Sequence, residues 1–128
     1  MRVRCKSSQL SPEQVAALPA QNGTLVALWR GHYAVDVGRD YDVLSIYWHD
    51  GALWVFFANE YSQPRVAPLG LFTIIDGTIP RTWRISSDES AVFLAPADAS
   101  SLTFADRVDE GEPSAVIIFG RMLAEMTN

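Results

Sequence analysis

Few residues in this chain are of a type and spacing that could do chemistry. His32 and His49 stand seventeen positions apart, and neither has a Cys, His-x-Glu or Glu-x-x-His partner at the spacing zinc ligands require. No metal site and no cofactor are expected. His49 is followed by Asp50, which could orient a basic imidazole, but Asp50-Gly51 is also a turn signal in which Asp accepts backbone hydrogen bonds. The turn reading prevails. Ser86-Ser87 and Ser100-Ser101 lack the Gly-x-Ser-x-Gly setting of an activated serine, and no glycine-rich phosphate loop occurs. The single cysteine, Cys5, can form no internal disulfide, which fits a reducing compartment. No catalytic residue is expected, and the chain reads as a non-enzyme.

Carboxylates are the more abundant resource. Fifteen acids against ten bases leave a net charge of −5, and the excess is uneven. Residues 1–84 carry seven acids and eight bases. Residues 85–128 carry eight acids (Asp88, Glu89, Asp98, Asp106, Asp109, Glu110, Glu112 and Glu125) against two bases, Arg107 and Arg121, a net −6. An acidic surface repels phosphates and attracts cationic proteins, so nucleic acid is excluded as a partner and a basic protein is allowed. Asp98, Asp106, Asp109, Glu110 and Glu112 are the first candidates for such a surface. Asp40, Asp42 and Asp50, gathered near one connection and one turn, are the second.

Aromatic residues give a weaker signal. Tyr33, Tyr41, Tyr47, Trp48, Trp54 and Trp83 could stack nucleobases, but a stacking platform needs a basic surround, and Arg30, Arg39 and Arg84 are dispersed among aspartates. Core packing accounts for most of them. Tyr, Trp and Arg also dominate protein–protein hot spots, so an interface could claim the rest.

The elements that must position these residues follow from periodicity. A length of 128 residues, with 48% hydrophobic and 20% charged, suits one domain spanning residues 1–128. Met1 to Lys6 alternates Val3 and Cys5 against basic residues, as a first or edge strand does. Ser11-Pro12-Glu13 caps a short helix over 12–18, and Thr24 to Trp29 reads as a strand. The clearest feature is a hairpin, Tyr41 to Trp48 and Ala52 to Asn59, joined at Asp50-Gly51. Strict alternation puts Val43, Ser45 and Tyr47 on one face and Leu44, Ile46 and Trp48 on the other. Gln63 to Gly70, with Pro64 and Pro68, reads as a loop, Leu71 to Ile75 as a short apolar strand or turn, and Ser90 to Leu94 as a strand. Leu102 to Val108 suggests a short helix. Pro113 opens a C-terminal helix with Val116, Phe119, Met122, Leu123 and Met126 inward. The fold class is therefore α+β: a strand-rich curved antiparallel sheet or small barrel with a short N-terminal helix and a C-terminal helix. The longest apolar runs, Ala52 to Ala58 and Ala115 to Gly120, are far below the ~20 residues of a membrane helix, and MRVRCKSSQL lacks the apolar stretch of an export signal. No membrane association is expected, and the cytoplasm is the expected compartment.

The central block Gly38-Arg39-Asp40-Tyr41-Asp42-Val43, with Ser45-Ile46, Gly51, Trp54, Pro64, Pro68, Leu71-Phe72, Asp76, Ile79-Pro80 and Trp83, resembles a group of small bacterial proteins. These are the immunity proteins of contact-dependent growth inhibition and other polymorphic toxin systems. The resemblance covers Gly38 to Trp83, about a third of the chain, and departs where Gln63-Pro64-Arg65-Val66-Ala67-Pro68 lacks an aromatic residue. It implies a non-enzymatic protein that binds and neutralises a cognate toxin domain by occlusion. The acidic segment would suit a basic nuclease, through complementary charge and fast association. Two other readings stay open: a ligand-binding or protein-interaction module, with a pocket lined by Trp48, Trp54 and Trp83, and an enzyme using His32 or His49 against an aspartate.

Overall fold

The structure, a computed structural model, describes residues 1–9, 11 and 35–126. Helix 12–18 and strand Thr24 to Trp29, expected from the sequence, lie outside them. Within the described residues seven strands form: β1 (Arg2–Cys5), β2 (Asp40–His49), β3 (Ala52–Ala58), β4 (Pro64–Pro68), β5 (Phe72–Asp76), β6 (Trp83–Ser87) and β7 (Ala91–Pro96). Two helices, α1 (Phe104–Asp109) and α2 (Pro113–Met126), follow them.

Asp50 and Gly51 both have positive φ, 50° and 77°. A two-residue type I′ turn demands this at both positions, and Asp-Gly tolerates it well. The turn sets His49 opposite Ala52 and so fixes the β2–β3 register. On the other edge of β2 two strands share the work. β1 pairs with its first half (Arg2 opposite Asp42, Arg4 opposite Asp40), and β7 pairs with its second half (Ile46 opposite Leu94, His49 opposite Ala91). The sheet thus forks at β2: one branch runs β4-β3-β2-β1-β5 and the other leaves through β7 to β6, with every pairing antiparallel. It does not close, so the small-barrel alternative gives way to an open curved sheet. β1 is interior, between β2 and β5, where the sequence allowed an edge.

A register shift in β2 corrects the expected faces. Val43 stands opposite Phe57, but Ser45 stands opposite Phe56, so β2 holds one extra residue at Leu44. Such a bulge reverses the alternation beyond it. Val43 therefore shares a face with Ile46 and not with Ser45. On that face Val3, Cys5, Tyr41, Val43, Val55, Phe57, Leu71, Phe72 and Trp83 form one core, with Ile46 and Leu94 packed against it. Phe57 is its centre: fully buried, 4.9 Å from the Tyr41 ring and 5.8 Å from Phe72.

Leu44 and Phe56 face the opposite layer, where Phe104 and Val108 of α1 and Ala115, Phe119 and Met122 of α2 cover them. The Phe56 ring lies 5.7 Å from both Phe104 and Phe119. Pro113 begins α2, where its missing N–H costs nothing. The buried stripe is Ala115, Phe119 and Met122, while Val116, expected inward, is 42% exposed. α1 ends at Gly111, φ 76°, whose N–H reaches Val108 O at 3.0 Å while Glu112 N–H reaches Arg107 O at 2.9 Å. This closure turns the chain straight into α2.

Two strands went unread in the sequence. β4 occupies the segment expected as a loop, because a proline is tolerated on the outer edge of a sheet, and among the described residues β4 pairs only with β3. β6 begins at Trp83, which is 6% exposed and packs in the Phe57 core. Phe57→Ala should lower the unfolding free energy by about 3–5 kcal/mol, read from urea denaturation; a loss below about 1 kcal/mol would remove Phe57 as the centre of this core.

Candidate protein-binding interface

The acidic C-terminal third divides into spent and available carboxylates. Glu112 receives both Arg107 Nε and Nη2, at 2.7 and 2.8 Å, and the Ser114 hydroxyl at 2.7 Å. These hydrogen bonds hold its carboxyl down at about 2, and the same pair raises the Arg107 guanidinium. Asp98, at the turn after β7, is ion-paired with Arg121 of α2. Both arginines of residues 85–128 are therefore consumed inside the segment. Asp106 and Asp109 of α1 and Glu110, its C-cap, remain exposed, with no side-chain partner among the described residues. These three keep their charge directed at solvent.

The second group is dispersed. Asp40 accepts a two-pronged contact from Arg4, 2.7 and 3.2 Å, and the hydrogen bond with that guanidinium holds its carboxyl below the usual range. Asp42 accepts Arg2 Nε at 3.1 Å. Both pairs span directly opposite residues of β1 and β2, so they reinforce strand pairing, weakly because water screens charges this exposed. Asp50 lies at the other end of β2, roughly 30 Å away at the rise of a strand, and meets His49 Nε2 at 2.9 Å. The structure does not bring Asp40, Asp42 and Asp50 together, nor join them to α1.

His49 is occupied on both nitrogens: Nδ1 lies 2.9 Å from the Ser90 carbonyl and Nε2 against Asp50. Both partners are acceptors, so the ring makes both bonds only when it carries two N–H groups. It clamps the β2–β3 turn to the β6–β7 turn, where Asp88 accepts the backbone N–H groups of Ser90 and Ala91 at 2.8 and 2.9 Å, which lowers its carboxyl. His32 lies outside the described residues. Among the described residues no group of three or more His, Cys, Asp or Glu side chains could hold a metal ion.

The three tryptophans named for a pocket do not share one. Trp48 and Trp54 lie on opposite faces of the β2–β3 pair: Trp48, 48% exposed, stands across from Leu53, and Trp54 stands across from Tyr47, on which it stacks at 6.5 Å. Trp83 alone lines a cavity, of about 220 Å³, with Leu44, Pro80, Arg81, Met122 and Met126. What the sequence missed is an apolar surface on the sheet: Trp48 lies between Leu53 (42% exposed) and Val92 (45%), which oppose it on either side. The bulge at Leu44 puts Trp48 on this face, and strict alternation offers no sign of a bulge. No helix among the described residues is long and apolar enough to cross a membrane.

Comparison with known proteins finds no matching protein-family model, no matching curated protein and no matching solved structure.

Because folding favours the ionised Glu112, the stability this group contributes is whole above its ordinary value of 4.5 and is lost as pH falls toward about 2. Glu112→Gln should therefore flatten the acid limb of a melting-temperature profile in that window and leave the profile above it parallel to wild type. An unchanged acid limb would show that the Arg107 pair contributes no pH-dependent stability.

Proposed function

We propose that this chain is an immunity-type protein that binds and neutralises a cognate bacterial toxin domain by occlusion, without catalysis, in the cytoplasm. The reading rests on the resemblance of Gly38 to Trp83, and one structural observation supports it above others. The α1 helix presents Asp106, Asp109 and Glu110 to solvent while the two nearby arginines are held by Glu112 and Asp98. An uncompensated negative face of this kind steers a basic partner toward it and repels nucleic acid. A nuclease domain, basic because it must hold phosphates, is the class of toxin such a face would meet.

A second reading, a small-ligand module, draws on the Trp83 cavity. At about 220 Å³ it falls short of the roughly 300–1,000 Å³ of ordinary ligand sites. It would take a fragment-sized apolar group at most, and a shift in Trp83 emission with a metabolite panel would favour it.

Co-expression of the tagged chain with the product of the gene immediately upstream tests the main reading. The expected result is a stoichiometric complex of nanomolar affinity, about −12 kcal/mol, whose association rate falls with salt. Reversing Asp106, Asp109 and Glu110 together to Lys should slow association by about 10- to 100-fold with the fold intact by circular dichroism. Recovery of the chain alone would overturn the toxin-neutralising reading. A complex insensitive to the triple reversal would move the interface off α1.

A further inference from the structure

Among the described residues β6 pairs with β7 alone, which leaves one of its edges open there. The Asp88 N–H donates to Ala91 O at 3.0 Å, and the β6–β7 register runs back from there through Ser86 opposite Phe93 and Arg84 opposite Ala95. In an antiparallel ladder inward and outward residues alternate. Arg84 and Ser86 therefore point their backbone groups into β7, and Trp83, Ile85 and Ser87 point theirs outward. Trp83 is locally satisfied, its N–H on Pro80 O at 3.1 Å and its carbonyl on Arg84 Nη1 at 2.9 Å. Ile85 and Ser87 are left with open donors and acceptors among the described residues.

The edge carries no lysine, proline or bulge, and its one charged side chain, Arg84, is turned back onto the Arg81 and Trp83 carbonyls at 2.7 and 2.9 Å, away from Ile85 and Ser87. By contrast β4, the edge at the far side of that sheet, has a proline at each end and α1 beside it. Ile85 is 79% exposed, the most exposed large apolar side chain described. It opposes Leu94, which opposes Ile46, so it is the outer end of the apolar face that carries Trp48 and Val92.

Charge decides what fits. The turn before β6 carries Arg81 and the turn after it carries Asp88 and Glu89, with Arg81 and Glu89 each four positions from Ile85 and both exposed. A parallel copy of the same strand would set like charges together. An antiparallel copy sets the Arg81 turn beside the Asp88–Glu89 turn twice over. We propose that the open edge of β6 is a self-association surface, on which a second copy of this chain pairs its β6 antiparallel about a two-fold axis at Ile85.

Ile85 of one copy then exchanges both backbone hydrogen bonds with Ile85 of the other, and the two side chains lie side by side on one face. The interface is isologous, and because Ser87 falls opposite Trp83, whose N–H and carbonyl are already held, the Ile85 pair supplies its two backbone hydrogen bonds. A single five-residue edge is short, so the assembly forms and dissociates with concentration.

Sedimentation velocity over a concentration series, from about 1 μM to 1 mM, tests this on the full chain. Wild type should pass from the 14.2 kDa monomer to twice that mass. Ile85→Lys, at a side chain that packs little, should stay monomeric throughout with an unchanged circular dichroism spectrum and melting temperature. Arg81→Glu and Glu89→Arg should each weaken association at least several-fold, and the double variant should restore it, because the swapped charges face each other again. A wild type that stays monomeric would overturn the proposal and leave the edge to a strand of another protein. Association that survives Ile85→Lys, or charge variants without rescue, would overturn it equally, by placing the contact elsewhere or in another register.

Discussion

One surplus residue in β2 organises the molecule. Because Leu44 is inserted against β3, Val43 can face the aromatic core around Phe57 while Leu44 faces the helices, and Ile46 and Trp48 return to the Phe57 side. A regular strand would have to send either Val43 or Ile46 to the wrong layer. Both cores therefore depend on the same local irregularity: Phe57 with Tyr41 and Phe72 on one side, Phe56 with Phe104 and Phe119 on the other. The bulge also separates the part of β2 that pairs with β1 from the part that pairs with β7.

Charge in this chain works at two levels. The arginine–carboxylate pairs that the fold closes, Arg2 with Asp42, Arg4 with Asp40, Arg107 with Glu112 and Arg121 with Asp98, tie neighbouring elements together. Each is exposed enough for water to weaken it, so their main effect is on the field that remains. After the pairing, Asp106, Asp109 and Glu110 keep charges with no side-chain partner among the described residues, while Asp40 and Asp42 at the β1–β2 corner are neutralised by Arg4 and Arg2.

How much of this could be read from the chain alone follows physical lines. The hairpin was legible because Asp50-Gly51 encodes its turn locally, and the C-terminal helix because Pro113 and a helical apolar stripe are local too. β4 was hidden because its prolines read as breakers wherever the partner strand is unknown. β6 was hidden because Trp83 and Ile85 are too few to show a period. The acidic character of α1 was visible in composition, whereas the loss of Glu112 and Asp98 to arginines depended on tertiary geometry. Asp40 and Asp42 looked available only because β1, which supplies their partners, lies more than thirty residues earlier. The exposure of Trp48 needed the bulge, which no local signal announces.

The fork at β2 also constrains how the chain acquires its shape. One edge of a single strand is completed by residues from the start of the chain and by Ala91–Pro96, which is made long afterwards. During synthesis from the N-terminus, the β2–β3 hairpin can close as soon as Ala58 emerges, yet the Ile46–His49 stretch of its edge stays uncovered until β7 follows. Contacts this distant in sequence make for slow folding, and an uncovered strand edge is where nascent chains aggregate. For the interval between those two events, β1 covers only the Asp40–Asp42 stretch of that edge, and Ile46–His49 is open to pairing with the wrong neighbour.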